Sequence, residues 1–345
     1  MCYVFNHTAW SLGSGKDQMK RREFIVLIGG AAATAWSPVR ASAQQKAATI
    51  GFLGAGAADT SAQLVDALKQ GLGENGLVEG KDYVLEPRWA EGEYERFAAF
   101  ARELVEQNAR VIVVTTIAAA RAAQRATSVI PIVMASINDP VGSGIVASLA
   151  RPGGNTTGMA TLNQDVTPKL VEFLHTLLPK ATAIAVFLNP ANPSNRPMLD
   201  NLRIQTGPIG VSVRAIEVNA QAKLNDAFAA VVAQQSDALL IIPDAATLDL
   251  IERIAAFGLQ HRIPVISTNS DLTSAGGLIS YGSSRRETYR RSAYFVRKVL
   301  EGVKPADLPV EQPTRVILSI NLKTARILGL PVPDALLATA DELIE

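Results

Sequence analysis

The sequence predicts an α/β protein built from two doubly wound, Rossmann-like lobes with a parallel sheet in each. Short apolar runs with the composition of β-strands alternate with helical patterns at close intervals. Most of these runs are apolar at every position, which is typical of parallel strands covered on both faces. The alternation occurs twice, from residue 48 to about 150 and from 181 to about 270, so we expect two similar sheets.

The individual elements are predicted from apolar runs and from helical spacing of apolar residues. The expected strands are 48–53, 111–115, 131–135, 183–188, 211–216, 238–242 and 264–267. The expected helices are about 61–74, 95–108, 117–127, 166–178, 222–234, 247–261 and 284–302. Strands and helices in this order form βαβ units, which supports a doubly wound sheet in each lobe.

Two segments rich in glycine and other breakers predict where the chain passes between the lobes. They are residues 151–158 and 275–282. The expected division is 44–160 with 275–315 in lobe 1, and 161–274 with 316–345 in lobe 2. More than one crossing would form a multi-strand hinge and leave a cleft between the lobes.

The beginning of the chain has the pattern of an export signal. Paired Arg21 and Arg22 precede the apolar run 24–33, and small residues at 41–43 precede Gln44. This order of basic, apolar and small residues is that of a signal peptide, and the arginine pair favours the twin-arginine route. The apolar run is shorter than the roughly 20 residues that span a bilayer, which argues against a membrane anchor.

We therefore expect residues 19–43 to be an export signal peptide and the mature protein to be periplasmic. Met19 is a better start for such a signal than Met1, so 1–18 is interpreted as a mis-called upstream extension. The single cysteine, Cys2, lies in that extension, which excludes disulfides and cysteine-ligated metals from the mature chain.

Composition excludes further classes of function. The net charge is +1 and no basic stripe is interleaved with aromatic residues, so we expect no nucleic-acid partner. The mature histidines, His175 and His261, fall in helical patterns, and no metal-ligand spacing or nucleophile motif occurs. We expect no metal, no cofactor and no catalytic residue.

Polar residues at the ends of the predicted strands are the candidate ligand-binding residues. In open α/β sheets, ligands bind beyond the carboxyl ends of the strands, and small polar side chains there suit a small polar ligand. The candidates are Ala58, Asp59, Thr115, Thr116, Ser136, Asp139, Asn189, Asp244, Asn269 and Tyr281. The alternative is that these positions are polar because strand ends are loops.

Two of these positions lie in motifs with a competing interpretation. Gly54 and Gly56 match the start of a dinucleotide fingerprint, but Asp59 stands where the third glycine belongs. Asp59 or Ser61 is therefore interpreted as a helix N-cap. Asp139 before a proline also predicts the start of a helix with the carboxylate as N-cap, and the alternative is a carboxylate that binds a ligand ammonium.

Residues 138–158, NDPVGSGIVASLARPGGNTTG, resemble the DPVGxGxVxSLxRPGGNxTG signature of a known family. That family is the ABC transporter substrate-binding proteins of the tryptophan/tyrosine type, which are type I periplasmic binding proteins. Further matches at 71–80, 304–310 and 320–325 extend the resemblance over essentially the whole mature chain. No cysteine follows the apolar run of the leader, whereas a lipid-anchored member of the family would have one there.

The resemblance implies the type I periplasmic-binding-protein fold and a receptor without catalytic activity. Such a receptor closes its two lobes around a small polar solute, amino-acid-like or small aromatic, and delivers it to an ABC permease at the inner membrane. We expect a monomer in which Asp139 and Asp244 pair with an ammonium or with sugar hydroxyls. The residues expected to orient the solute are Thr116, Ser136, Asn189 and Asn269.

Two other functions remain compatible with the sequence. One is a periplasmic enzyme of doubly wound fold, although the incomplete glycine fingerprint argues against it. The other is a ligand-sensing partner of a membrane signalling receptor, for which the same fold and cleft would serve.

Overall fold

A computed structural model describes residues 47–218 and 223–345 of the chain. The expected extension 1–18 and signal peptide 19–43 lie outside the described residues, so the export prediction is not addressed by the structure. Within the described residues, no helix is both long enough and apolar enough to cross a membrane.

The first lobe is built on a five-stranded sheet in the order β2-β1-β3-β4-β5. Its strands are β1 Ala48–Gly54, β2 Tyr83–Trp89, β3 Val111–Val114, β4 Ile132–Asn138 and β5 Thr156–Thr161. All four pairings between them are parallel. The helices of this lobe are α1 Ala62–Glu74, α2 Phe97–Glu106, α3 Ile117–Ala126 and, from later in the chain, α10 Arg285–Leu300.

Both faces of the first sheet are buried by helices. One core cluster joins the sheet to α1 and α10, and another joins its opposite face to α2 and α3. Strand β3 is fully buried at every position, which is why its sequence, VIVV, is apolar throughout.

The second lobe is built on a seven-stranded sheet in the order β12-β11-β10-β9-β8-β6-β7. Its strands are β6 Ala183–Leu188, β7 Ser212–Glu217, β8 Ala238–Ile241, β9 Val265–Ser267, β10 Ile279–Gly282, β11 Ile317–Asn321 and β12 Glu342–Ile344. Its helices are α4 Asn163–Leu177, α5 Asn195–Thr206, α6 Leu224–Ala233, α7 Ala245–Leu248, α8 Ile251–His261, α9 Asp271–Ser274, α11 Leu322–Leu328 and α12 Asp334–Leu337.

The second sheet is also covered on both faces. Helices α4 and α5 pack on one face, and α6 and α8 pack on the other. The pairing of β10 with β11 is antiparallel, whereas the other pairings in this sheet are parallel. The predicted α/β class with two doubly wound lobes is confirmed.

In the described residues the chain passes between the lobes three times. The first crossing joins β5 to α4, and the second joins β10 to α10. The third leads from Glu311, which pairs with Met159 of β5, to strand β11. Strand β10 pairs with β9, so residues 279–282, which we expected in lobe 1, belong to the second sheet.

Several elements differ from the sequence prediction for identifiable reasons. Strand β2 was not predicted because Pro87 and the charged residues on either side of it interrupt the apolar run. An edge strand such as β2 tolerates this composition. Strand β5 occupies part of the segment 151–158, which we had interpreted as a connection. Helix α5 was not predicted either, since polar residues dominate its sequence and Pro197 lies in its first turn.

The helix predicted after Asp139 is a single turn. The Asp139 carboxylate accepts the backbone N–H of Gly142 at 2.8 Å, as an N-cap would. Gly144 then adopts a φ of +73°, which ends the helical conformation.

Candidate ligand-binding site

A cleft of about 590 Å³ lies between the two lobes. Its walls are formed by residues that follow the strands of both sheets, so the cleft opens at their carboxyl ends, as the sequence predicts. Its volume falls within the range of about 300–1,000 Å³ that is typical of small-molecule sites.

One wall in the first lobe is aromatic. The rings of Phe52 and Trp89 meet with their centroids 5.3 Å apart and their planes at 57°. Both residues line the cleft, and they come from the adjacent strands β1 and β2. Strand β1 ends in Gly54, against which the Trp89 ring packs. Phe52 is 1% exposed, so the partly buried Trp89 ring supplies the apolar surface on which a flat ligand group can lie.

The same lobe contributes hydroxyl groups at the ends of β3 and β4. The Thr115 hydroxyl donates to the carbonyl of Leu53 at 3.0 Å, and the Thr116 hydroxyl accepts the N–H of Ala119 at 3.2 Å as the N-cap of α3. Ser136 lies where the pairing of β4 with β5 shifts register. All three predicted residues, Thr115, Thr116 and Ser136, line the cleft.

The second lobe contributes a buried carboxylate, Asp244, which follows β8 and is 4% exposed. Its Oδ1 accepts from the side-chain amide of Asn189 at 2.8 Å, and its Oδ2 accepts from that of Asn192 at 2.7 Å. Tyr94 of the first lobe donates its hydroxyl to the same Oδ2 at 2.6 Å. Burial, with the nearby Asp244 charge, raises the pKa of Tyr94 well above its ordinary value, so the hydroxyl keeps its proton and donates.

Asn269 and Thr268, which follow β9, form another part of the cleft lining that the second lobe contributes. Asn269 is 2% exposed, and neither polar atom of its amide has a partner among the residues that the structure describes. The hydroxyl of Thr268 is also unpartnered there. Buried polar groups without partners are uncommon in folded proteins, and each calls for an explanation such as a functional role.

Charged side chains of both signs complete the lining. Asp249 lies between α7 and α8, and burial raises the pKa of its carboxyl, although Thr60, the backbone of Ala57 and the charge of Arg285 oppose this. Arg285 is the first residue of α10 and forms no ion pair with a described residue, whereas Arg290 farther along the helix pairs with Glu74. The cleft therefore offers both anionic and cationic groups.

Five predicted residues do not line the cleft. Ala58 and Asp59 lie in an exposed turn, where the Asp59 carboxylate accepts the N–H of Thr60. Asp139 caps its own turn, and Asn189 lies behind Asp244 with 0% exposure. Tyr281 packs edge-on against Phe173, with the ring centroids 5.2 Å apart, inside the second lobe.

Sequence reasoning missed Trp89, Tyr94, Asn192, Asp249 and Arg285. Trp89 and Tyr94 belong to β2 and to the segment after it, and this strand was not predicted. Asn192 and Asp249 lie three and five residues beyond candidates that were predicted, at positions that only the loop conformation brings to the cleft. Arg285 begins α10, which follows a strand that was not predicted, so it was not among the strand-end candidates.

Comparison with known proteins agrees with this fold. Residues 55–344 match the ABC transporter substrate binding protein family. A tyrosine-binding protein of Clostridioides difficile (strain R20291) is 26% identical over 271 residues, which are 77% of each chain.

Two solved structures are also similar. A conserved domain protein from Vibrio cholerae has a TM-score of 0.80 and 27% identity, covering 86% of this chain and 100% of that one. An ABC domain from Streptococcus pneumoniae in complex with L-Trp has a TM-score of 0.78 at 23% identity, with the same coverage. The match over residues 55–344 spans most of the 345 residues, so the chain belongs to the ABC transporter substrate binding protein family.

Proposed function

We propose that this protein is the solute receptor of an ABC importer and that it binds an amino-acid-like or small aromatic solute in the cleft between its lobes. The observation that carries the proposal is the composition of the cleft. The aromatic wall of Phe52 and Trp89 faces a cavity that also holds strand-end hydroxyls and charges of both signs.

Each part of the cleft has a chemical counterpart in such a solute. A ring or branched side chain would pack on Trp89, which Phe52 supports from the core, with a gain roughly proportional to the apolar area removed from water. Arg285 suits a carboxylate and Asp249 suits an ammonium, so the pair fits a zwitterion. Thr115, Thr116, Ser136 and Asn269 would fix the orientation of the solute by hydrogen bonds.

The relatives support this class of solute. The curated relative from Clostridioides difficile is a tyrosine-binding protein, and the similar structure from Streptococcus pneumoniae holds L-Trp. Because their sequences are 26% and 23% identical to this one, the proposal is the class of solute rather than either amino acid.

The proposal includes export, location and delivery. Residues 19–43 would direct the protein through the twin-arginine route to the periplasm, where it would act as a monomer. Solute binding would close the lobes, and a membrane permease would recognise the closed form. The receptor would catalyse no reaction.

The test is isothermal titration of the purified protein with a panel of solutes. The panel contains L-tyrosine, L-tryptophan, L-phenylalanine, L-leucine, benzoate and glucose. We expect saturable binding of one solute per protein molecule within the amino-acid or aromatic class. Saturable binding of glucose alone would contradict the proposed solute class.

A variant pair locates the binding site. Ser136→Trp places an indole in the cleft and is expected to abolish binding, whereas Ser212→Trp adds the same group at an exposed position of β7 and is expected to leave affinity unchanged. Circular dichroism checks that both variants are folded. Unchanged affinity in a folded Ser136→Trp protein would place the solute elsewhere.

A further inference from the structure

The two lobes are joined directly by a buried hydrogen bond that does not require a ligand. Tyr94 donates its hydroxyl to Oδ2 of Asp244 across the lobe boundary at 2.6 Å. The two residues are 7% and 4% exposed. Tyr94 is not among the residues that line the cleft, although Asp244 is.

The acceptor of this bond is held in place by its own lobe. Asn189 and Asn192 donate to the two oxygens of Asp244, and all three residues belong to the second lobe. Separation of the lobes would therefore leave these two bonds intact and break the bond from Tyr94. A fixed acceptor costs little further ordering when the lobes close, so the bond to Tyr94 favours the closed arrangement.

The donor is held in place by the first lobe. Tyr94 begins a short 3-10 turn that leads into α2, and its ring packs against Phe97 with the centroids 5.6 Å apart. Phe97 is itself buried in the core cluster that joins α2 and α3 to the sheet. The hydroxyl is thus carried by a fixed part of the first lobe rather than by a flexible loop.

A second contact lies in the same region. We call residues 244–250 the bridging segment. Near its other end, the Asp249 carboxylate lies beside Gly56, where a side-chain carbon would be 3.3 Å from Oδ1. The Thr60 hydroxyl of the same turn also interacts with Asp249. The bridging segment therefore contacts the first lobe at two places, through Asp244 and through Asp249. The contact of Asp244 with Tyr94 is the buried one.

We propose that Tyr94 is a positioning residue that sets solute affinity by holding the lobes closed, without touching the solute, an inference that rests on the proposed function. A receptor that binds only in its closed form has an apparent affinity equal to its intrinsic affinity multiplied by the fraction of molecules that are closed. A bond made by the protein alone raises that fraction equally for every solute. Loss of this bond lowers the apparent affinity for every solute by one common factor and leaves the order of the affinities unchanged.

The experiment compares the wild type with Tyr94→Phe, which removes the hydroxyl and keeps the ring. Titration with L-tyrosine, L-tryptophan and L-leucine is expected to show every measurable affinity reduced about tenfold, the size expected for losing a hydrogen bond to a charged acceptor. Tyr294→Phe is the matched control, because Tyr294 lies on α10 away from the cleft lining, and its affinities are expected to equal those of the wild type. Unchanged affinities in Tyr94→Phe, or a loss confined to one solute, would overturn the proposal.

A ligand-free measurement separates this inference from the proposed function. Small-angle X-ray scattering of the ligand-free proteins is expected to give a larger radius of gyration for Tyr94→Phe than for the wild type and Tyr294→Phe. If no solute of the panel binds the wild type, the proposed function fails, while the scattering comparison still tests the bond between the lobes. Equal radii for all three proteins would overturn the inference even if solutes bind.

Discussion

The indole ring of Trp89 lies so close to Gly54 that a side-chain carbon at residue 54 would overlap its six-membered ring. The two residues are register partners in adjacent parallel strands, and both line the cleft. Because glycine leaves the space that the ring fills, the aromatic wall of the site depends on the absence of a side chain at this position.

Gly54→Ala is expected to lower the free energy of unfolding by about 1–3 kcal/mol, because the new methyl group overpacks against Trp89 and Phe52. Solute affinity should fall with it as the indole is displaced. Urea unfolding measures the first effect and titration the second. The matched control is Gly73→Ala in α1, where nothing lies within 4 Å and stability should rise by about 0.4–1 kcal/mol. Equal effects of the two substitutions would contradict this account of Gly54.

Trp89 should report solute binding by fluorescence. The chain has three tryptophans, and Trp89 is the one within the described residues, at the cleft wall. We expect a saturable change in emission on adding a solute that binds, and loss of that change in Trp89→Phe. The same change in Trp89→Phe would mean that the signal does not arise at the aromatic wall.

Asp244→Ala is expected to destabilise the protein by about 3 kcal/mol or more. The substitution leaves the amides of Asn189 and Asn192 and the hydroxyl of Tyr94 without their acceptor, and each buried unpaired donor costs about 1–3 kcal/mol, not additively. Urea unfolding gives the value. Asp66→Ala, at an exposed position of α1, should change stability by less than about 0.5 kcal/mol. A loss at Asp244 as small as that at Asp66 would show that the network contributes little.

Asp249 should make stability depend on pH. Partial burial raises the pKa of its carboxyl in the folded protein, so the folded state holds the proton more tightly than the unfolded chain does. Stability therefore decreases as pH rises from the unfolded pKa, about 3.9, through the higher folded pKa. Asp249→Asn removes this penalty, so its melting temperature should exceed that of the wild type at pH 7.

That gain should shrink as pH falls and vanish below about pH 3.9, where the wild-type carboxyl is protonated in both states. Thermal unfolding at pH 7, 5 and 3.5 provides the comparison, with Asp66→Asn as a control at an exposed carboxylate of the first lobe. A gain that is constant with pH, or a lower melting temperature at pH 7, would contradict the assignment.

The fold could be predicted wherever burial on both faces imposed a continuous apolar run. Strands β1, β3 and β6 are of this kind, and each has a neighbouring strand on both sides in its sheet. Strand β5 has the sequence TTGMAT and is nevertheless buried at its first five positions, because hydrogen bonds satisfy its threonines, as between Thr157 and the carbonyl of Leu308. Such burial depends on partners distant in the chain, which local composition does not reveal.

The site was predictable where it follows directly from a recognised strand. Thr115, Thr116 and Ser136 lie at the ends of β3 and β4, and all three line the cleft. Trp89 comes from an edge strand that contains a proline and was not predicted. The expectation that ligands bind at the ends of strands therefore did not select this residue. Tyr281 shows the opposite failure, since it ends a strand but its ring packs inside the lobe against Phe173.

The most direct test of the account is a crystal structure of the protein grown with the solute that titration shows to bind most tightly. The account predicts one solute molecule between the lobes, with its apolar group on Trp89 and its polar groups within hydrogen-bond distance of Thr116 or Ser136. A solute bound outside the cleft, or within it but without contact to Trp89, would contradict the proposed binding site.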